Sequence, residues 1–304
     1  MLARFQQITV LLLLIACIAW AAWFTRAGHP YWAAAGVVLI AFGYAAFLGV
    51  EFVLLGLIGR STPVVPAPTA RQLIAAWWAE VQAAPRVFFW RQPFRSNVEP
   101  DLLVAARSGQ RGVLLVHGFV CNRGLWNPWM QRLRTQGIPF VAVNLEPVFG
   151  SLDDYTGAID AAVRRLEACT QLAPVIVGHS MGGLALRAWL REAANHARVH
   201  RLVTIGTPHQ GTWLARFALT RNGRQMRLNS AWLTAPGSSG DQAAFRHFTC
   251  FYGHCDNIVF PALMATLPGA DNRHIAGTAH VQMAFHAAVF SEVQAWLQPV
   301  PGAA

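Results

Sequence analysis

The sequence predicts an α/β fold, a mainly parallel sheet covered by helices, preceded by a hairpin of two transmembrane helices. Three observations lead to this expectation: two long apolar runs near the N-terminus, short β-branched runs that alternate with helical periodicity after residue 100, and a length sufficient for one full-sized domain. The chain has 304 residues, of which 54% are hydrophobic and 12% are charged. This composition excludes a disordered chain, a collagen and a small disulfide scaffold.

The charged residues point to a membrane rather than to nucleic acid. The 24 Lys and Arg residues are all arginines, and with 14 acidic residues they give a net charge of +10. Because the arginines are scattered and form no stripe, we expect a membrane as a partner and no nucleic acid. Five cysteines at irregular spacings indicate free thiols, although a bridge between Cys250 and Cys255 stays open.

Residues 1–60 are predicted to form a membrane anchor. Two apolar runs, at about 8–24 and 31–58, each reach the roughly 20 residues that a spanning helix needs. The alternative is that the first run is a cleaved signal peptide. Trp20 and Trp23, near the end of that run, suit an interfacial aromatic belt better than a cleavage site, so we favour the anchor.

The arginines that flank the two runs predict their orientation. Arg4 precedes the first run, Arg60 and Arg71 follow the second, and the turn between them has only Arg26. Under the positive-inside rule, both flanks then face the cytoplasm. Glu51 is the one charge inside the second run, and we expect it near the interface because an ionised side chain is costly at the middle of a membrane.

Residues 61–100 are predicted to connect the anchor to the folded domain. Ser61–Pro68 is rich in proline, and Thr69–Ala83 has the spacing of an amphipathic helix. Cations and aromatic side chains are mixed in the following Arg86–Arg91. Such a juxtamembrane segment either lies along the membrane surface or packs on the domain, and the sequence favours neither interpretation.

Residues 101–304 have the pattern of a sheet of buried parallel strands separated by helices. The strand-like runs are almost continuously apolar, which is typical of strands buried on both faces. The predicted strands are Val113–Val116, Phe140–Val143, Val175–Val177 and Arg201–Ile205. The predicted helices are Leu125–Gln136, Asp154–Cys169 and Gly182–Ala194.

The third predicted strand leads into the sequence GHSMGG at 178–183, which a helical stretch follows. This is a G-x-S-x-G motif in the context of strand, sharp turn and helix that a nucleophile elbow requires. Gly178 and Gly182 leave room around so tight a turn. They let the hydroxyl of Ser180 project above the sheet at the N-terminus of a helix, where the helix dipole favours negative charge.

These residues resemble the α/β-hydrolase superfamily and, within it, bacterial lipases and carboxylesterases. The resemblance runs from about Gly112 to Leu297 and includes the GHSMGG elbow. It rests on VLLVHGF at 113–119, VIVGHSMGG at 175–183, TIGTPHQGT at 204–212, DNIVFP at 256–261 and GTAHV at 277–281. It implies an α/β-hydrolase fold with a nucleophile, an acid and a histidine in that order along the chain.

The resemblance makes Ser180 the nucleophile, Asp256 the acid and His280 the base. The chemistry agrees, because a serine hydroxyl is a poor nucleophile until a neutral imidazole accepts its proton, and a carboxylate must orient that imidazole. The alternatives are His274 and His286 for the base, and Asp271 and Glu146 for the acid.

Acyl transfer also requires hydrogen-bond donors for an oxyanion. The elbow supplies the backbone N–H of Met181, and the turn at Gly118 is expected to supply that of Phe119. No metal and no cofactor are expected, because the possible ligands that lie together match no familiar zinc spacing. Those ligands are His247, Cys250, His254, Cys255 and Asp256.

The resemblance and the anchor together imply a membrane-anchored serine hydrolase that cleaves carboxylic esters, with lipid or long-chain acyl esters as substrates. An acyltransferase or thioesterase with the same triad, or a non-catalytic scaffold, are the alternatives. Residues 212–247 form either a cap or lid, or ordinary helices that pack over the sheet. The expected location is a bacterial-type inner membrane with the catalytic domain in the cytoplasm.

Overall fold

The structure is a computed structural model. It describes residues 1–59, 61–104, 109–191, 193–235 and 242–297. Some of the expectations above reach outside these residues: the flanking charge of Arg60, the middle of the expected cap, and the end of the domain beyond Leu297.

Two long helices form an N-terminal hairpin. Helix α1 is Leu2–Arg26 and helix α2 is Pro30–Ile58, and both are long and apolar enough to cross a membrane. Gly28 in the turn has a φ of +77°, a left-handed conformation that favours glycine. The indole of Trp20 donates to the carbonyl of Trp32 at 2.8 Å, so this side chain helps to hold the two helices together.

Helix α3, Ala70–Ala84, packs against the second half of α2. Thr69 caps its first turn, because the Thr69 hydroxyl accepts the N–H of Gln72 and the Gln72 side chain accepts the N–H of Thr69. The indole of Trp77 donates to the carbonyl of Ala45 at 2.9 Å. The amphipathic helix expected from the sequence is therefore present and is bound to the hairpin.

The chain continues from α3 through a π-helix at Pro85–Arg91 and a short helix α4 at Gln92–Phe94. Val87 is fully buried in the domain core, whereas Ile74 and Trp78 on the outer face of α3 are exposed. Of the two interpretations that the sequence left open, the structure shows packing on the domain, and contact of this segment with a membrane surface stays a prediction. One face of this segment packs on α2 and on the domain, and the other presents apolar side chains to the surroundings.

Six strands among the described residues form the central sheet. They are β1 at Val113–Val116, β2 at Phe140–Ala142, β3 at Val175–His179, β4 at Arg201–Ile205, β5 at Phe248–Tyr252 and β6 at Asp271–His274. All pairs are parallel, in the order β2-β1-β3-β4-β5-β6. The four predicted strands are confirmed within a few residues, so the α/β expectation is correct.

Helices cover both faces of this sheet. They are α5 at Asn127–Thr135, α6 at Thr156–Thr170, α7 at Met181–Arg191, α8 at Arg221–Gln225, α9 at Ala231–Thr234, α10 at His280–Met283 and α11 at Ala287–Leu297. Successive side chains of a strand point to opposite faces. Leu114 and Ile176 therefore pack with α6 and α7, while Leu115 and Val177 pack with α5 and α11. The hydrophobic clusters on the two faces hold the strands in place, so that their carboxyl ends lie together at one edge of the sheet.

The described part of 212–247 contains only short helices and turns. Met226, Leu233 and Phe245 are buried against the core that α6 and α7 form. Phe217 and Leu219 are exposed. The described part of this region therefore packs over the sheet on one side, and its role as a cap stays a prediction.

Candidate active site

Ser180 lies in the sharp turn between β3 and α7. Its φ is +54°, in the left-handed region that residues other than glycine rarely adopt. Its N–H donates to the carbonyl of Ile205 at 2.8 Å, which ties the turn to the end of β4. A Cβ on Gly182 would lie 2.6 Å from backbone oxygens at the end of β1, and one on Gly178 would lie 2.9 Å from a backbone nitrogen of α7. Both glycines are therefore required by close packing around the serine.

Asp256 and His280 form a buried pair beyond the ends of β5 and β6. Nδ1 of His280 is 2.9 Å from Oδ1 and 3.0 Å from Oδ2 of Asp256. Oδ1 also accepts the N–H groups of Ile258 and Val259 at 2.9 and 2.8 Å, so the carboxylate has a fixed orientation. A carboxylate at this distance keeps the proton on Nδ1 and leaves Nε2 as the proton acceptor.

Two contacts bring this pair to the serine turn. The rings of His179 and His280 are 4.7 Å apart between centroids, and Nε2 of His179 is 3.2 Å from the backbone oxygen of His280. A Cβ on Gly206, directly after β4, would lie 2.9 Å from Oδ2 of Asp256 and 3.0 Å from Nδ1 of His280. The residue before Gly206 binds the N–H of Ser180. The three sequence-predicted residues thus meet around the end of β4.

Among the described residues, no hydrogen bond joins the hydroxyl of Ser180 to His280. Ser180 is buried, as are Asp256 and His280. Catalytic hydrogen bonds in enzymes without substrate are often long, and they shorten when the substrate binds. The arrangement therefore places the serine and the histidine that the sequence predicts as nucleophile and base on adjacent segments.

The electrostatic surroundings favour His280 as a base. Burial lowers the pKa of His280, because the imidazolium loses its hydration, but the charge and the hydrogen bond of Asp256 raise it, as do the charges of Glu80 and Glu51. The net result is a pKa above the ordinary value of 6.5. A raised pKa makes the neutral imidazole a stronger proton acceptor and stabilises the imidazolium that forms.

Two backbone N–H groups near Ser180 have no hydrogen-bond partner among the described residues, those of Phe119 and Met181. Met181 is the first residue of α7, whose N-terminal end carries a positive partial charge. Phe119 follows Gly118, and a Cβ on Gly118 would lie 2.8 Å from the Cβ of Ser180. The turn after β1 therefore approaches the serine closely, and both predicted oxyanion donors lie beside it.

Other buried histidines at this edge bind a backbone group or a threonine hydroxyl. Nε2 of His117 accepts the N–H of Leu145 at 3.0 Å, and Nε2 of His209 is 3.0 Å from the hydroxyl of Thr204. Burial lowers the pKa of His117 to about 4, and it lowers the pKa of His179 and His209 well below the ordinary value. These rings are therefore neutral and serve the structure of the loops.

The alternative acids and bases lie in other contacts. His274 is 2.8 Å from a nitrogen of His254 and has no carboxylate partner among the described residues. Asp271 begins β6 and pairs with Arg273, and Glu146 binds the terminal amine at 2.9 Å. The structure thus brings Asp256 and His280 together and leaves these alternatives apart from that pair.

Four residues around this pair were not assigned to the site by the sequence analysis. Gly206 approaches both members of the pair, Asn257 donates to Glu51, and Glu80 accepts two backbone N–H groups directly after His280. Asn257 and Gly206 lie in the motifs that carry the family resemblance, whereas Glu51 and Glu80 lie in the predicted anchor and connector. Glu51 and Glu80 are 206 and 201 residues from their partners along the chain, so no local pattern indicates them.

A metal site has no support in the described part of the chain. It contains no group of three or more His, Cys, Asp or Glu side chains that could hold a metal ion. His254 and His274 stack with nitrogen atoms 2.8 Å apart, which suits a hydrogen bond between them. All five cysteines are unpaired, including Cys250 and Cys255.

A parallel sheet with a strained serine between strand and helix, and a carboxylate–histidine pair at the same edge, defines an α/β-hydrolase domain. The chain belongs to the alpha/beta hydrolase family, whose model matches residues 113–302. This family match confirms the resemblance and the fold class expected from the sequence.

Solved structures of lipases have a similar fold. The mature form of the lipase BlEst2 from Bacillus licheniformis has a TM-score of 0.57 and 16% identity, with 64% of this chain and 95% of that chain covered. Lipase B from Aspergillus fumigatus has a TM-score of 0.55 and 19% identity, with 64% of this chain and 54% of that chain covered. A search of curated proteins found no match. At these identities the likeness shows the fold alone.

Proposed function

We propose that this chain is a membrane-anchored serine hydrolase that cleaves carboxylic esters through an acyl-enzyme on Ser180. The observation that carries this proposal is the buried Asp256–His280 pair, with 2.9 Å between Oδ1 and Nδ1, beside an elbow serine whose φ is +54°. Membership of the hydrolase family and the fold shared with two lipases support an ester as the substrate.

In the first half of the reaction, Nε2 of His280 accepts the proton of the Ser180 hydroxyl while Oγ attacks the ester carbonyl carbon. Asp256 stabilises the imidazolium that forms. The carbonyl oxygen becomes an oxyanion, which the N–H groups of Phe119 and Met181 bind. Each such donor typically contributes about 10²- to 10³-fold to turnover, so these backbone groups matter as much as the base.

The tetrahedral intermediate then collapses and the C–O bond to the alcohol breaks. His280 gives its proton to the leaving alcohol, and the acyl group stays on Ser180. In the second half, His280 takes a proton from water, the hydroxide attacks the acyl-enzyme, and the proton returns to Oγ as the carboxylic acid leaves. The enzyme is restored, and one water is consumed for each ester.

The N-terminal helices support a lipid or long-chain acyl ester as the substrate. Two helices long and apolar enough to cross a membrane precede the domain, and α3 exposes Ile74 and Trp78 beside them. Tethering to a bilayer raises the local concentration of esters dissolved in it. We propose a bacterial-type inner membrane as the location, and the flanking arginines favour a domain that lies in the cytoplasm.

A fluorophosphonate probe tests the proposed nucleophile directly. We expect full-length protein in detergent to form one adduct, mapped by mass spectrometry to Ser180, and to hydrolyse a p-nitrophenyl ester. Ser180→Ala should lose the adduct and about 10⁶-fold of kcat, because removal of a triad serine abolishes covalent catalysis. An adduct on another residue, or ester hydrolysis unchanged in Ser180→Ala, would show that the assignment is wrong.

A further inference from the structure

The segment that carries His280 is held by two carboxylates from outside the hydrolase sheet. Glu80 belongs to α3 and Glu51 belongs to α2, so both come from the N-terminal helices. Glu80 is 1% exposed and Glu51 is 8% exposed. A carboxylate in such a place is costly unless hydrogen bonds replace its hydration, so the partners of these two groups are informative.

Glu80 binds the two peptide units that follow His280. Its Oε1 accepts the N–H of Val281 at 2.8 Å, and its Oε2 accepts the N–H of Gln282 at 3.1 Å. These N–H groups begin α10, the short helix whose first residue is His280. The capping residue of α10 is Ala279, which has no side-chain oxygen to bind them. Glu80 therefore supplies from α3 the cap that the local sequence lacks.

Glu51 reaches the same segment through Asn257. Oε2 of Glu51 accepts from Nδ2 of Asn257 at 2.6 Å, and Oδ1 of Asn257 accepts the backbone N–H of His280 at 3.2 Å. Asn257 is completely buried and directly follows Asp256. The relay from α2 therefore fixes the amide orientation of Asn257 and, through it, the backbone of the histidine beside its acid.

We propose that Glu80 and Glu51 are positioning residues for His280, so that α2 and α3 complete the active site as well as tethering it. The inference rests on the proposed serine hydrolase function. Neither carboxylate touches the ester, and each acts by fixing the backbone on one side of the histidine. A catalytic group must be held within about 0.5 Å of its productive position, and a displacement of about 1 Å can lower turnover about 100-fold.

The same carboxylates also affect the titration of His280. The ionisable groups that face it are Asp256, Glu80, Glu51 and His179, and the charges of the three carboxylates raise its pKa against the effect of burial. Burial raises the pKa of Glu80 to about 7, so its charge is only partly present near neutral pH, and removal of this carboxylate should lower the pKa of His280. Because the neutral imidazole is the active form, the acidic limb of kcat/KM should then move to lower pH. Simple loss of folded protein would lower the rate at every pH without moving the limb.

The test uses full-length protein in detergent, with Glu80→Ala, Glu80→Gln and Glu51→Ala compared with wild type. Two controls are matched to the same helices: Gln82→Ala changes the exposed face of α3, and Tyr44→Phe removes a 3.0 Å hydrogen bond between α2 and the carbonyl of Val81. Titration with the fluorophosphonate counts intact Ser180 sites. The values of kcat and KM for a soluble p-nitrophenyl ester are then expressed per titrated site.

We expect Glu80→Ala to lower kcat per site about 100-fold with KM changed less than about twofold, and to move the acidic limb to lower pH. Glu80→Gln, which keeps one acceptor oxygen, should lose less, and Glu51→Ala should lower kcat in the same way. Both controls should keep the wild-type kcat per site. If Glu80→Ala yields no titratable sites, the kcat per site of Glu80→Gln and Glu51→Ala shows whether the carboxylates affect turnover.

Three results would overturn the inference. If the Glu80 and Glu51 variants lose titratable sites but keep wild-type kcat per site, the carboxylates are structural only, while the proposed hydrolase function stands. If Tyr44→Phe lowers kcat per site as much as Glu80→Ala, the effect is a general loosening of the helices. If wild-type protein forms no adduct on Ser180, the proposed function and this inference fail together.

Discussion

The conformation of Ser180 explains why the sequence alone could identify the nucleophile, although it could not give the distances within the site. A serine at a φ of +54° carries a backbone strain of about 1–3 kcal/mol, which surrounding packing must offset. Because that packing requires glycine at two positions of the elbow, the six residues at 178–183 are enough to predict the nucleophile. The contact between Asp256 and His280 leaves no such local record, and only the resemblance to a family pairs them.

The pKa of His280 predicts how the reaction depends on pH. Asp256, Glu80 and Glu51 raise this pKa and outweigh the lowering by burial, so it lies above 6.5. The base is active when neutral, so kcat/KM should fall as the pH is lowered through that raised value. Asp256→Asn removes the largest of the raising charges, so its acidic limb should lie at lower pH, and kcat should fall about 10⁴-fold.

The measurement is the rate of fluorophosphonate labelling at Ser180 as a function of pH for both proteins, since labelling does not require product release. A wild-type limb below pH 6.5, or the same limb in Asp256→Asn, would contradict the assignment of His280 as the titrating base.

At the scale of elements, the sequence predicts those strands and helices whose hydrophobic pattern is clear. The strands β1 to β4 are mainly apolar and buried, and the amphipathic α3 begins after a capping threonine, so both kinds of element were recognisable. Strand β6 was not predicted, because Asp271–His274 is polar and largely exposed at the edge of the sheet. The capping of α10 by Glu80 was also missed, since that contact exists only after α3 has packed on the domain.

Gly206, directly after β4, allows a test of whether its close approach to Asp256 and His280 matters for the reaction. Gly206 has a φ of +54°, and a Cβ there would lie 2.9 Å from a carboxylate oxygen of Asp256 and 3.0 Å from the ring of His280. Gly206→Ala should therefore destabilise the fold by roughly 1–3 kcal/mol and also lower kcat by displacing the pair.

Gly137→Ala is the matched control for that substitution. Gly137 has a φ of +66° but nothing within 4 Å of an added Cβ, so alanine there meets the backbone strain alone. We expect a smaller decrease of the thermal unfolding midpoint in detergent than for Gly206→Ala, and an unchanged kcat. Equal kcat values for the two variants would mean that the approach of Gly206 to the pair has no effect on the reaction.

At the scale of the whole molecule, the second half of α2 lies beside α3, so only the first half of α2 extends away from the rest of the protein. Helix α2 is bound to α3 from Tyr44 onward, so the part before it, Pro30–Gly43, extends only about 21 Å beyond that contact at about 1.5 Å per residue. A hydrocarbon core is about 30 Å thick. If the hairpin spans it, the outer face of α3 with Ile74 and Trp78 lies at the bilayer boundary. The carboxylate contacts to His280 then lie close to the membrane surface as well.

Membrane anchoring predicts that the full-length protein stays with the bilayer when peripheral proteins are removed. After a carbonate wash and flotation on a density gradient, we expect it in the floating membrane fraction, because two apolar helices remain inserted. Val38 and Phe42 are exposed near the middle of α2. The double substitution Val38→Arg with Phe42→Arg costs about 2.5–3.5 kcal/mol for each charge in a membrane and should leave the floating fraction. Wild-type protein recovered in the soluble fraction would mean that the hairpin does not span a membrane. The argument for an ester dissolved in a bilayer would then fail, but the proposed chemistry at Ser180 would be unaffected.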